Sequence, residues 1–337
     1  QLYGPTGATK FITADHTPLA FLYPPIAAIL FTGLAMVSLP AASAIITAIS
    51  LVVLTLGVYL VLDGLDVWPD WTVTGESAAL RRAWLALLIT AVASFQLDPI
   101  WSNYGYGQIN VVPMVLVLAD CLPRRTLWPR GVLVGLAIAL KLTAAVMIPY
   151  FMIKRDWRAV ATTCASFVAV TAVGFVFAWR DSVDFWMGIS KSASRVANIG
   201  LNTNESLYAF LSRLSMDGLR GPLWLVCSAV MLAVTVWATR RAVAAGYDAL
   251  AVCCVALLGL LASPISWTHH WVWVLPACIS TAVVGYRERQ LVLLAVTAAG
   301  LAVAKWPTLE MLPSGREWTA PLWSQLVGVS YVWWALA

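Results

Sequence analysis

Apolar stretches recur along the whole chain, and short polar or basic loops separate them. A helix needs about 20 predominantly apolar residues to cross the hydrocarbon layer of a bilayer. Stretches close to this length predict membrane-spanning helices, among them residues 41–62, 157–177, 222–237 and 271–284. The pattern therefore predicts an all-α polytopic membrane protein in which residues 1–337 form one multi-span domain, with about nine complete crossings.

The composition excludes a water-soluble protein. Hydrophobic residues make up 61% of the chain and charged residues only 11%, whereas about a quarter of the residues in soluble domains are charged. The net charge is +5, but the basic residues are spread between the apolar stretches, so no nucleic-acid partner is predicted. The six cysteines show no Cys-x-x-Cys spacing, which argues against a zinc site or a disulfide framework.

The distribution of arginine and lysine predicts the orientation, because cytoplasmic loops of membrane proteins are enriched in these residues. More than half of the 21 basic residues lie in five short loops, at Arg81/Arg82, Arg124/Arg125/Arg130, Lys154/Arg155/Arg158, Arg240/Arg241 and Arg287/Arg289. We place these loops in the cytoplasm. The opposite face then receives residues 1–40, 98–110, 180–221, 263–270 and 305–320. We expect the chemistry on this second face, outside the plasma membrane.

One apolar segment does not fit a simple up-and-down count. Residues 131–153 have the length of one span, yet basic residues flank them on both sides. A single crossing would invert every later loop against the charge rule. We therefore predict a re-entrant hairpin with Lys141 at its tip and limbs of about ten residues, roughly 15 Å of helix each.

Two further elements are predicted on the outer face. The outer loop 1–40 contains Tyr23-Pro24-Pro25, which cannot lie inside a regular helix, so residues 21–40 are predicted to form a juxtamembrane or re-entrant element. In the outer segment 180–221, apolar positions such as Phe185 alternate with Ser, Lys and Arg, which is typical of a helix lying in the interface. Asn204 is predicted to cap the helix that follows it.

Lys141 is the first candidate functional residue. A charge within an apolar hairpin costs at least a few kcal/mol unless it is paired or hydrated. Snorkelling to the interface is one interpretation, and contact with an anion is the other. The mid-hairpin position favours the anion, and a phosphate is the natural partner for an ammonium group.

His269 and His270 are adjacent and follow the end of an apolar stretch. Their side chains diverge by about 100° on a helix, so both cannot serve one metal from one face, and no metal site is predicted. One imidazole is predicted to face a polar cavity as a proton carrier or hydrogen-bond donor to a sugar. The alternative is an interfacial histidine without a role. Gln108, Asn110 and Asn204 are equally open, because each either binds a polyhydroxylated ligand or caps a helix.

Five motifs follow one another along the chain: Phe21-Leu22-Tyr23-Pro24-Pro25, Gly107-Gln108-Ile109-Asn110, Gly135-Leu136-Ala137 with Lys141, Asn202-Thr203-Asn204-Glu205-Ser206-Leu207, and Ser263-Pro264-Ile265-Ser266-Trp267-Thr268-His269-His270. In this order they resemble glycosyltransferase family 87. The resemblance covers the chain from Leu2-Tyr3 to at least His270.

The resemblance implies a GT-C-type fold with the active site on the non-cytoplasmic side. Members transfer mannose, with inversion, from the lipid-linked donor polyprenyl-phosphate mannose to a glycolipid acceptor such as a phosphatidylinositol mannoside or lipomannan. They form α-1,2 linkages and need no metal or other cofactor. Carried over by position, the implied roles are a donor-phosphate contact for Lys141, a sugar or phosphate contact close to the base for His269 or His270, and substrate contacts for Tyr23, Gln108, Asn110 and Asn204.

The chain departs from the family pattern at its beginning. The family's proposed catalytic aspartate follows a first span and precedes a Leu-Tyr pair, whereas this chain opens at Gln1-Leu2-Tyr3. We therefore expect both the span and the aspartate to precede Gln1, and Asp15, which follows the pair, is not assigned as the base. Two alternatives stay open: another polyprenyl-phosphate sugar transferase, for arabinose or glucose, and a lipid or solute transporter. The lack of internal repeats argues against the transporter.

Overall fold

The computed structural model describes residues 21–70, 77–188, 199–214, 216 and 218–337, together with the backbone of two short strands. These strands, β1 (Phe11–Ile12) and β2 (Pro18–Leu19), pair in antiparallel fashion. The Leu2-Tyr3 pair, His16 and the part of the predicted interfacial segment at residues 189–198 lie outside the described residues.

Helices dominate the described chain, which confirms the predicted all-α class. The α-helices are α1 (Pro25–Phe31), α2 (Leu39–Gly64), α3 (Ala78–Gln96), α4 (Asp98–Gly105), α5 (Val111–Cys121), α6 (Val132–Leu140), α7 (Ile148–Ile153), α8 (Trp157–Phe177), α9 (Trp179–Met187), α10 (Leu207–Arg213), α11 (Arg220–Ala244), α12 (Asp248–Ala262), α13 (Val274–Arg287), α14 (Leu291–Lys305), α15 (Leu322–Val327) and α16 (Ser330–Leu336). Short 3₁₀ segments lie at Thr32–Met36, Leu142–Met147, Thr268–Trp273, Thr308–Met311 and Glu317–Thr319.

Within the described residues, four helices are long and apolar enough to cross a membrane, namely α2, α3, α8 and α11. The polytopic membrane class is thereby confirmed, while the count of about nine crossings stays a prediction. The predicted span 271–284 was wrong at its start. The chain there is a 3₁₀ segment with a kink at Trp271, and α13 begins only at Val274.

The helices divide into an outer layer and a core. α11 exposes large apolar side chains, such as Val230, Val234 and Trp237. α12, by contrast, is buried along most of its length, and it packs against α11, α13 and the 3₁₀ segment Leu142–Met147. Apolar exposure on α11 is what a lipid-facing helix requires, whereas a helix apolar on all sides is found in a protein core.

The structure contains the hairpin predicted at residues 131–153. Gly131, which precedes α6, and Gly135 within α6 contact α8 so closely that a Cβ atom would lie 2.2 Å from Ala159 O and 2.5 Å from Thr163 O, respectively. Since successive positions of α6 meet successive positions of α8, these helices run in the same direction. The chain between them must therefore return, and it reverses at Lys141, where the backbone leaves α6 in an extended conformation.

The hairpin is fixed at both ends. At its base, Asp120 Oδ2 accepts hydrogen bonds from the first backbone amides of the hairpin, Gly131 N and Val134 N, both at 2.9 Å. Near its tip, Ala139 and Leu140 pack with α1. α1 starts at Pro25, where a fixed φ suits the first helical turn, so the Tyr-Pro-Pro element begins a short helix that covers the hairpin.

The predicted cap at Asn204 was wrong. Ser206 is the N-cap residue of α10, and its Oγ accepts a hydrogen bond from Ala209 N at 3.1 Å. Asn204 lies two residues too early to reach the free amides of the first turn. Its side chain has other partners, described below.

Candidate active site

Six side chains proposed from the sequence fall into one cluster at one end of the helices. They come from the segment that precedes α1, the turn between α4 and α5, the hairpin tip and the 3₁₀ segment before α13. We call this set the polar cluster: Tyr23, Gln108, Asn110, Lys141, His269 and His270.

Lys141 lies at the centre of the polar cluster. Its Nζ donates a hydrogen bond to Asn110 Oδ1 and lies 5.6 Å from the centre of the Tyr23 ring. Within the described residues, the ion pairs are Arg82 with Asp63 and Lys154 with Asp248, and Lys141 forms none. An ammonium group without a carboxylate partner among the described residues is chemically suited to contact an anion.

Asn110 connects the hairpin tip to the histidine segment. Its Oδ1 accepts the hydrogen bond from Lys141. Its Nδ2 donates to His269 O at 2.9 Å and to Asn103 Oδ1 at 3.1 Å. No side-chain bond caps α5, so the capping interpretation was wrong. With both amide hydrogens used inside the protein, Asn110 positions Lys141 and His269 relative to each other.

Asn103, which was not predicted as a site residue, shapes the turn that carries Gln108 and Asn110. It is fully buried, its Oδ1 accepts from Asn110 N at 3.2 Å, and its Nδ2 donates to Gln108 O at 2.9 Å. Gln108 Oε1 accepts a hydrogen bond from the Tyr23 hydroxyl. This bond ties Tyr23 to the turn, so the two predicted substrate contacts, Tyr23 and Gln108, are hydrogen-bonded to each other.

The two histidines face different surroundings. Their rings are 4.9 Å apart and perpendicular, and the His269 ring also packs against Tyr106 at 5.3 Å. His270 instead lines a cavity together with Lys141 and forms a hydrogen bond to the backbone of Ile265. Because His270 lines the cavity with Lys141, it is the imidazole placed to meet a ligand of Lys141, with one ring nitrogen left for it. Separately, the described residues bring no three potential metal ligands together.

Asn204 lies outside the polar cluster, and its predicted role as a substrate contact stays a prediction. It is completely buried. Its Nδ2 donates to Ile199 O at 2.9 Å and Pro264 O at 3.1 Å, and its Oδ1 accepts from Ser266 N at 2.9 Å. Because these bonds use its amide group within the protein, Asn204 holds the loop that leads to the histidines.

Further bonds fasten the same loop to the segment around Asn204. Glu205 N donates to Ser266 O at 2.9 Å, and Thr268 N donates to Thr203 O at 3.0 Å. Buried backbone groups need such partners. The Asn-Thr-Asn-Glu-Ser motif and the histidine motif thus form one structural unit, although about 60 residues separate them in sequence.

Glu205 and Arg213 lie buried behind this unit. Arg213 Nε donates to Gln325 Oε1 at 3.1 Å, and Nη1 donates to Leu201 O at 3.3 Å. Neither carboxylate oxygen of Glu205 has a hydrogen-bond partner among the described residues. Burial raises the pKa of the Glu205 carboxyl to about 8, although the positive charge of Arg213 opposes this shift. Arg213 was not predicted as a site residue, because its only signal in the sequence is a charge among the apolar positions of α10.

The cavity beside the polar cluster is small, with a volume of about 60 Å³, and it is open on one side. Its polar end contains Asn110, Lys141, Ser263 and His270. An ammonium group and an imidazole at one end of an otherwise apolar cavity suit a phosphorylated, lipid-like molecule. Fold and site together define a membrane protein with a cavity whose polar end is suited to an amphiphilic anion.

Comparison with known proteins gives this class a family. The model of glycosyltransferase family 87 matches residues 21–264, which end just before the histidine pair. The chain belongs to glycosyltransferase family 87, so it is a membrane glycosyltransferase, and the predicted enzyme class is confirmed.

Curated relatives cover nearly the whole chain. A Mycobacterium tuberculosis protein named polyprenol-phosphate-mannose-dependent alpha-(1-2)-phosphatidylinositol mannoside mannosyltransferase is 49% identical over 337 residues, 100% of this chain and 78% of that protein. A Mycolicibacterium smegmatis protein of the same name is 50% identical over 97% of this chain and 76% of its own length. A pentamannoside mannosyltransferase from Mycolicibacterium smegmatis is 36% identical over 82% of this chain and 65% of its own length. No solved structure matches the chain significantly.

Proposed function

We propose that this protein transfers mannose from polyprenyl-phosphate mannose to a hydroxyl group of a phosphatidylinositol mannoside or lipomannan, forming an α-1,2 linkage. The observation that carries the proposal is Lys141, an ammonium group without a carboxylate partner among the described residues, placed with His270 at the polar end of a largely apolar cavity. The names of the relatives support the same donor and acceptor.

In this reaction, the acceptor oxygen attacks the anomeric carbon while the bond from that carbon to the phosphate oxygen breaks. The acceptor proton passes to a general base, and the polyprenyl phosphate leaves with one more negative charge. Lys141 stabilises this developing charge, as preorganised cations do in other transfer sites. His270 accepts a hydrogen bond from a sugar hydroxyl when neutral, or donates one to the phosphate when protonated.

The general base is not assigned to a described carboxylate. Glu205 is fully buried behind Asn204, and Asp98 accepts a hydrogen bond from Ser102 at the start of α4. Inversion at the anomeric carbon follows from a single displacement in which base and leaving phosphate lie on opposite sides of the sugar.

We also propose that the site faces the non-cytoplasmic side of the plasma membrane. The polar cluster lies at one end of α5 and α12, and basic residues lie at the other. Arg130 donates to Asp120 O at 3.1 Å at the end of α5, and Lys154 pairs with Asp248 at 2.8 Å at the start of α12. The charge rule assigns the basic end to the cytoplasm.

The test is mannose transfer from labelled donor to a phosphatidylinositol mannoside by the protein in nanodiscs. Lys141→Gln is expected to lower kcat/KM about 10- to 150-fold, because a hydrogen bond to a charged group contributes about 1.5–3 kcal/mol. The matched control is Lys305→Gln, since the exposed Lys305 donates its hydrogen bond to the exposed Gln96, and this variant is expected to keep full activity. Equal activity of both variants, or no transfer by the wild type, would contradict the proposal.

A further inference from the structure

Tyr106 is an exposed aromatic residue at the edge of the polar cluster. It is 56% exposed, and the centre of its ring lies 5.3 Å from that of His269, with the two planes tilted by 54°. The His269 ring in turn contacts the His270 ring at 4.9 Å. His270 lines the cavity with Lys141, whereas neither His269 nor Tyr106 lines it. The ring contacts therefore lead from the cavity outward to an exposed aromatic face.

The turn after α4 holds this ring in place and leaves space beside it. Tyr106 N donates to Ser102 O and Gly107 N donates to Tyr104 O, both at 3.0 Å. Glycines lie on both sides of the tyrosine, and a Cβ atom built on Gly105 or Gly107 would meet nothing within 4 Å in the described part of the chain. Gly107 has a φ of +60°, which glycine adopts without strain. A rigid turn thus presents the ring to open space.

We propose that the Tyr106 ring stacks on the terminal mannose of the acceptor, the sugar that carries the attacking hydroxyl group. The inference rests on the proposed function, because it takes Lys141 as the position of the donor phosphate. In a single displacement, the acceptor approaches the anomeric carbon from the side opposite the leaving phosphate. Tyr106 is separated from the cavity that holds Lys141 by the histidine pair, so it is placed for the acceptor rather than for the phosphate.

The surroundings of the ring suit a sugar. A pyranose has a face of C–H groups and a rim of hydroxyl groups. The electron-rich face of an aromatic ring attracts C–H groups that neighbouring oxygens polarise. The rim needs hydrogen-bonding groups, and two half-buried polar side chains are close by: His269 in ring contact and Gln108 in the same turn. A hydrocarbon chain would gain nothing from these polar neighbours, so the site favours a sugar over a lipid tail.

The experiment measures KM separately for the donor and for a phosphatidylinositol mannoside, with the protein in nanodiscs. Tyr106→Ala is expected to raise the acceptor KM about tenfold, which corresponds to about 1.4 kcal/mol. Its donor KM is expected to stay within about twofold of the wild type, because the donor does not contact the ring. Tyr106→Phe keeps the aromatic face and is expected to restore the acceptor KM to within about threefold of the wild type.

The control separates stacking on a sugar from anchoring in the membrane interface, where Trp and Tyr are enriched. Trp101→Ala removes another aromatic side chain of α4, 59% exposed, and is expected to change neither KM. An equal effect of Tyr106→Ala and Trp101→Ala, or no effect of Tyr106→Ala, would overturn the inference. A rise in the donor KM alone would assign the ring to the donor and overturn it as well. If Tyr106→Phe behaves like Tyr106→Ala, the hydroxyl group acts rather than the ring face, and stacking is refuted.

Acceptor binding without donor provides a readout that is independent of transfer. Titrations in detergent compare a phosphatidylinositol mannoside with phosphatidylinositol that carries no mannose. Tyr106→Ala is expected to weaken binding of the mannoside about tenfold and to leave binding of the mannose-free lipid unchanged. If the wild type transfers no mannose but this difference is found, the proposed reaction fails while the sugar contact stands. If the wild type transfers mannose but the variant binds the mannoside as the wild type does, the sugar contact fails while the reaction stands.

Discussion

Replacing Asn204 by alanine tests whether the histidine loop depends on a buried amide far from it in sequence. The change removes two bonds donated by Nδ2 and one accepted by Oδ1. At about 1 kcal/mol for each bond, with about 1–2 kcal/mol more for leaving Ser266 N buried without a partner, the expected destabilisation is about 4 kcal/mol. The loop that carries His270 then loses its fixed position.

The assay combines thermal unfolding in nanodiscs with donor kinetics. Asn204→Ala is expected to lower the unfolding temperature and to lower kcat/KM at least about tenfold, because a small displacement of a positioned group is costly for catalysis. Asn202→Ala is the control: Asn202 lies in the same motif, and its side chain donates only to Leu309 O at 3.3 Å. Full activity and stability of Asn204→Ala, or an equal loss in Asn202→Ala, would refute the reasoning.

Two further predictions concern stability. The Glu205 carboxyl has a folded-state pKa of about 8, against 4.5 in the unfolded chain. Because the folded state binds the proton more tightly, stability falls as pH rises from about 4.5 to 8. Glu205→Gln is expected to flatten this decline of the unfolding temperature with pH, and parallel curves for the variant and the wild type would contradict it. Gly131→Ala places a Cβ atom 2.2 Å from Ala159 O at a φ of +96° and is expected to abolish folded protein in size-exclusion profiles. The control is Gly218→Ala, at a φ of +85° with nothing within 4 Å, which is expected to remain folded. Similar profiles for the two variants would show that the clash at Gly131 is tolerated.

The hairpin was predictable because its signal is local. Basic residues on both sides of an apolar segment are visible in the sequence, and the cost of placing them across the membrane leaves few alternatives. The same reasoning placed Lys141 at the tip, where the structure has it. The cap at Asp120 and the close contact at Gly131 were not predictable, since each depends on a partner from another helix.

The prediction that Asn204 caps a helix was wrong for the same reason. An Asn followed by a helix resembles a cap in sequence, but its partners lie 60 and 62 residues away. The sequence also could not decide between His269 and His270. Their difference arises from tertiary contacts: His269 packs on Tyr106, while His270 lines the cavity.

The polar cluster also explains why a protein with few charged residues keeps a lysine near its centre. Asn110 gives Lys141 one neutral acceptor, which holds the ammonium group in place but does not neutralise it. A carboxylate partner would neutralise it, yet would then compete with the substrate phosphate for the same cation. The described chain instead uses buried amides, Asn103, Asn110 and Asn204, to fix the cluster without adding negative charge. The charge of Lys141 therefore remains available to the phosphate, at a cost in stability that the bound donor would offset.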